Sequence, residues 1–168
     1  MQGSGSSHAV EVGEAVPLEG QAPQPDPRPT EAAEALAAGD YSRVLALTGH
    51  RPEAPGSGWL DYDRASALTA LGRTDEAVRF FRQAEAEFAT TRDEAQTSSL
   101  WRSRRAGLDE GQAVSIWGRA RALSLAGRCA EAAGAFKEYE DLVRDRDPLA
   151  ARMAPPYSSA CRAPLVLR

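Results

Sequence analysis

The sequence predicts an all-α chain, and three observations carry that expectation. Alanine and leucine dominate the 42% hydrophobic content, while aromatics reach only 7%. Such side chains favour helix, whereas strands want β-branched and aromatic ones. Apolar residues recur at three- and four-residue steps, as in Ala77, Val78, Phe81, Ala84 and Phe88, which aligns them on one helical face. Finally, one phrase is written twice, as ASALTALGRTDEAVRFFRQAE from Ala65 and ARALSLAGRCAEAAGAFKEYE from Ala120, each halved by a glycine. A length of 168 residues suits one ordinary domain with a real core.

The elements follow in order. Residues 1–29 read as a disordered leader, because PLEGQAPQPDPRP offers closely spaced prolines and almost nothing large and apolar to bury. The globular part, residues 30–161, begins with Thr30 as an N-cap and Glu31 in the first turn. Two short helices hinge at Gly39-Asp40, with glycine closing one and aspartate opening the next. His50–Gly58 is a loop by its Pro and Gly content. A helix from Trp59 stops at Gly72, and Thr74 caps its successor. Residues 91–112 are polar, hold Gly107 and Gly111 and keep no clean period, so they read as an irregular insertion with at most one weak helix. Helices resume over Ala113–Ala126 and Cys129–Val143, and Asp147-Pro148 opens a short last one that Pro155 and Pro156 end. Residues 162–168 form a tail.

The twice-written phrase is a packing formula. In both copies a small residue lies seven positions before the hinge glycine and a leucine four before it; an alanine follows at +5 and a phenylalanine at +9. Ala77 and Phe81 fill the later posts in one copy, Ala132 and Phe136 in the other. Antiparallel helices joined by a tight turn approach closely only where small side chains face each other. This spacing resembles the tetratricopeptide repeat, a helical hairpin of about 34 residues. GDYSRVLAL after Gly39 resembles a third copy, with Val44 at the alanine post. Gly39 and Gly72 lie 33 residues apart, one period, whereas Gly72 and Gly127 lie 55 apart, which locates the insertion between the last two units. The resemblance implies antiparallel hairpins stacked as a short array over about Thr30–Val143. The run GRARALSLAGRCAEAAGAFKEYEDLV also resembles small repeat proteins of bacteria such as myxobacteria, many of them exported or lipid-anchored.

The resemblance further implies a concave groove lined by the first helix of each unit. Its posts fall on Trp59, Tyr62, Ser66, Thr69 and Ala70, and in the last unit on Val114, Trp117, Arg121, Ser124 and Leu125. Aromatics and arginine are the residues that most often anchor interfaces. The other account of Trp59 and Trp117 is core or cap packing. The lysine/asparagine clamp that some family members use for a terminal carboxylate is absent.

Catalytic and metal chemistry find little purchase. His8 lies in the leader and His50 in a proline-rich loop, so no base is set beside a nucleophile. Carboxylates such as Asp61, Asp63, Asp75 and Glu76 read as a solvated face. The two cysteines, Cys129 and Cys161, lack the further ligands of a zinc site. A helix from Cys129 rising about 21 Å, followed by a return from Pro148, brings both sulfurs to one end of a hairpin. A disulfide there would contribute about 3–4 kcal/mol in an oxidising compartment; two separate buried thiols are the alternative. Localisation stays open: the cysteine pair points to the cell envelope or periplasm, and a genuine start without an export signal points to the cytoplasm.

A net charge of −4 and a pI near 5.3 disfavour a phosphate-backbone partner, and no run is apolar enough to span a membrane. The functional expectation is a non-catalytic, cofactor-free scaffold or adaptor that binds a protein, as peptide or helix, in its concave groove. The alternative is a nucleic-acid-associated regulator using the cluster Trp101–Arg105, in which Arg102, Arg104 and Arg105 are offset by nearby acids.

Overall fold

The computed structural model describes residues 26–49, 57–95 and 105–144, and among them every regular element is an α-helix. These are α1 (Arg28–Ala37), α2 (Tyr41–Leu47), α3 (Gly58–Ala70), α4 (Thr74–Ala95), α5 (Arg105–Leu125) and α6 (Cys129–Val143). They pair as α1–α2, α3–α4 and α5–α6, while α4 also packs on α5, and α3 touches both α1 and α5. No helix among the described residues is long and apolar enough to cross a membrane.

The turns within the three pairs are one device used three times. Gly39, Gly72 and Gly127 have φ of 74°, 71° and 72°, a left-handed conformation that glycine adopts without a Cβ clash. The next residue donates its N–H back five residues, Asp40 to Ala35, Arg73 to Leu68 and Arg128 to Leu123, each at 2.9 Å. Each glycine donates to the carbonyl three residues back at 3.0 Å. These bonds satisfy the last carbonyls of the first helix while the chain reverses.

The openings of the second helices differ. Asp40 caps α2 by accepting the Arg43 N–H at 3.0 Å. At the other two turns an arginine follows the glycine and grips a glutamate three residues on with two hydrogen bonds. Arg73 holds Glu76 at 2.7 and 2.8 Å, and Arg128 holds Glu131 at 2.7 Å twice. Thr74, expected as a cap, is already the first residue of α4, because the residue after the turn glycine takes the cap position.

The core runs along the stack in three clusters, and each borrows from a neighbouring pair. Ala67 of α3 joins Ala35 and Val44. Ala122 of α5 joins Ala65, Leu68, Ala77 and Phe81. Val78 of α4 joins Ala120, Leu123, Ala132, Ala135 and Phe136 of the last pair. The posts of the repeated phrase are therefore buried, and the alanines let the backbones approach while leucine and phenylalanine fill the remaining space.

Closest approach occurs where α4 meets α5. Phe81 and Phe88 lie seven residues apart on α4, and Gly111 and Gly118 lie seven apart on α5. A methyl group at Gly111 would meet the Phe88 Cε1 at 2.5 Å, and one at Gly118 would press still closer on the Phe81 ring. Gly58, at the start of α3, leaves room for the same Phe88 ring, whose Cζ would stand 2.9 Å from a Cβ there. Both rings thus lie on bare backbone.

The helices reach into both ends of the stretch 91–112 that reads as irregular. Residues 91–95 continue α4, and 105–112 form the first two turns of α5. Gly111 breaks the apolar period because it receives a ring rather than marking a turn. Residues 96–104 lie outside the described residues. The first helix likewise starts at Arg28, not at a Thr30 cap. Pro29 is accommodated in its first turn because the N–H it lacks has no intrahelical partner there. Residues 1–25, the tail 162–168 and the helix expected from Pro148 lie outside the described residues.

A paired substitution tests this packing. Gly118→Ala should destabilise the fold by about 1–3 kcal/mol through overpacking. Gly134→Ala, at a helical position with open space around it, should stabilise it by about 0.5–1 kcal/mol. Urea denaturation of both variants reads the two opposite signs, and equal shifts would contradict the assignment.

Candidate binding groove

Trp59, Tyr62 and Asp63 stand three and four residues apart on α3, so they share a face. Opposite them, α1 presents mostly small side chains. Between the two helices lies an open groove of about 670 Å³, walled by Trp59, Tyr62 and Asp63 on one side and by Thr30, Ala33, Glu34 and Ala37 on the other.

The aromatic wall is held from behind. The Trp59 ring meets Tyr62 edge-on at 5.8 Å and 81°, and Phe88 at 5.1 Å and 70°. Tyr62 meets Phe81 at 5.8 Å and 64°. Each ring contacts a phenylalanine that α5 receives on a glycine, so the α4–α5 contact orients the groove wall. Trp59 nevertheless keeps 38% of its surface exposed, an apolar face available to a ligand.

Asp63 is the unusual group. Only 5% of it is exposed, and burial pushes its carboxyl up to about 7, with no hydrogen bond or charge among the described residues opposing. Other buried charge is handled differently. Arg119 of α5 is buried between Glu85 of α4, at 2.8 Å, and Glu138 of α6, in a close contact. Burial works against the Arg119 charge, but the two carboxylates more than reverse this and hold its pKa above the ordinary value. Burial likewise raises Glu85, although Arg119 draws it down. The triad joins three helices, and removing one partner of its buried pair, Arg119 or Glu85, costs about 3–5 kcal/mol, whereas Glu138 is exposed and contributes less.

The remaining groove posts are dispersed. Ser66 and Thr69 continue the α3 face half-buried, and the Thr69 hydroxyl donates to the Ala65 carbonyl at 2.8 Å. Trp117 does not line this groove; it packs against Phe136 at 5.2 Å and Tyr139 at 5.0 Å, facing α6. Arg121 is exposed on α5. Cys129 opens α6 and is disulfide-bonded; Cys161, the chain's other cysteine, lies outside the described residues, as do His8, His50 and Trp101–Arg104. Among the described residues no group of three or more His, Cys, Asp or Glu is placed to hold a metal ion.

A second hollow of about 460 Å³ lies where α4 meets the start of α6. Arg79, Arg82 and Arg128 line it, but Arg128 is engaged by Asp75 at 2.6 Å and Glu131 at 2.7 Å. Compared with family profiles, curated proteins and solved structures, the chain matches none of them.

The sequence reads Asp63 as part of a solvated face and assigns Arg119 no role, whereas the structure buries both. Asp63 stands four residues after Trp59 on the groove face of α3, and its burial comes from packing that the α3 period does not express. Arg119 sits one residue before Ala120, a buried post of the repeat, and that register was the available signal.

The raised carboxyl makes a stability prediction. Between about pH 4 and 7 the folded chain holds a proton at Asp63 that the unfolded chain has released. Stability therefore falls as pH rises through that window, by on the order of 3–4 kcal/mol. Asp63→Asn removes this term. Its stability advantage over the wild type should be larger at pH 8 than at pH 4.5 in urea denaturation, and an equal difference at both pH values would refute it.

Proposed function

We propose that this chain is a non-catalytic interaction module, a small tetratricopeptide-like scaffold that holds a peptide or partner helix against the groove between α1 and α3. The observation that carries this reading is the groove itself: two aromatic rings braced from behind by phenylalanines, one of them substantially exposed, facing a helix of small side chains. Large, rigid aromatics lose little freedom on binding and supply much of the affinity where they anchor an interface. The repeated hairpins support the same reading, since their alanine, leucine and phenylalanine posts are committed to packing and leave the first-helix faces to carry specificity.

The alternative, a nucleic-acid-associated regulator, draws on the Trp101–Arg105 cluster and the arginines of the second hollow. The net charge of −4 and the engagement of Arg128 by two carboxylates both weigh against it.

A partner recovered by cross-linking from the native organism separates the two. Trp59→Ala should weaken its capture by about 1–2 kcal/mol or more if the ring is an anchor, beyond any change in the melting curve. Arg79→Ala combined with Arg82→Ala should leave capture intact. The reverse pattern would move the reading to an anionic partner.

A further inference from the structure

We propose that the groove between α1 and α3 is a cation-recognition site, in which the buried carboxylate of Asp63, beside the rings of Trp59 and Tyr62, takes the guanidinium or ammonium group of a basic side chain on a partner peptide. This rests on the reading of that groove as the binding face.

Arg119 and Asp63 are both buried but are met differently. Where the fold buries Arg119, it supplies two carboxylates. Where it buries Asp63, no described residue donates a hydrogen bond to the carboxyl or sets a base beside it. A carboxylate kept out of water and unpaired is unfavourable unless something else meets it. Among the described residues, the groove it lines contains a second acid, Glu34, and no lysine or arginine. Any charge these two acids carry is therefore negative, and the complementary ligand is a cation, which would also favour the ionised form of Asp63.

The aromatic neighbours narrow the class further. Trp59 and Tyr62 stand nearly perpendicular, at 81°, and present an aromatic corner next to the carboxylate. Aromatic faces attract a cation through their quadrupole, and desolvation strengthens that attraction. A guanidinium can stack on a ring while donating in parallel to a carboxylate, and a lysine offers a compact charge on an apolar stem. An anionic group or a free carboxyl terminus would face Asp63 and Glu34 and be repelled. Asp63 is thus a specificity-determining residue, and Trp59 supplies contact area.

The test uses the full chain and short capped peptides carrying a single arginine, a single lysine, or citrulline, which keeps the shape of arginine without its charge. The probe is the Trp59 indole resonance, assigned with Trp59→Phe. Saturable shifts with arginine and lysine peptides are expected, with binding weakened about tenfold or more for citrulline and similarly for Asp63→Asn. Equal affinity for the arginine and citrulline peptides, or undiminished arginine binding by Asp63→Asn, would overturn the cation assignment. An Asp63 carboxyl that titrates at or below the ordinary aspartate range in the free protein would overturn it too, because a cation of the chain itself would already occupy the site. These failures are distinct from failure of the groove. If Trp59→Ala abolishes partner capture while citrulline and arginine peptides bind alike, the groove stands and the cation site falls; if Trp59→Ala changes nothing, the groove falls.

Discussion

Two phenylalanine rings lying on glycine backbone fix the distance between α4 and α5, and most of the molecule depends on that distance. Phe81 sits over Gly118, and Phe88 is held between Gly58 and Gly111. With any side chain at Gly111 or Gly118, α5 would stand further off and the contacts on both sides would loosen. On one side lie Trp59 and Tyr62, which rest edge-on against the same two rings. On the other lies Arg119, whose reach to Glu85 requires α4 and α5 to be close. One packing contact therefore positions both the groove wall and the polar lock.

Much of the architecture was legible because it repeats. A turn glycine flanked by alanine, leucine and phenylalanine at fixed offsets states its own helix boundaries, and Gly39, Gly72 and Gly127 adopt the left-handed conformation that a helix-ending glycine implies. The arginine and glutamate that follow two of these glycines belong to the same formula, yet their bidentate pairing only becomes visible once the turn is built. Gly111 was misread for a physical reason. A glycine that ends a helix and a glycine that admits a neighbour's ring look alike in sequence, because the difference lies in a residue more than twenty positions away.

The candidate site was legible in part. Trp59 and Tyr62 follow from the first-helix spacing, and the structure brings them together. Trp117 holds the same post as Tyr62 and makes the equivalent contact, with Phe136 where Tyr62 meets Phe81, and adds Tyr139, so it packs on α6 and does not wall the groove. Asp63 was hidden because a carboxylate is ordinarily solvated, and no sequence rule short of its neighbours' packing says otherwise. Its burial without a partner among the described residues is a local departure from the way Arg119 is held. Such departures concentrate at functional sites, where stability is given up for recognition.

The central claim is that the α4–α5 contact holds the groove wall in place. The most direct measurement compares nuclear Overhauser contacts between the Trp59 indole and the Phe88 ring in the wild type and in Gly111→Ala. The account predicts strong Trp59–Phe88 contacts in the wild type and their loss or rearrangement in the variant, with the Trp117–Phe136 contacts preserved. Unchanged Trp59–Phe88 contacts in a variant of wild-type stability would contradict it.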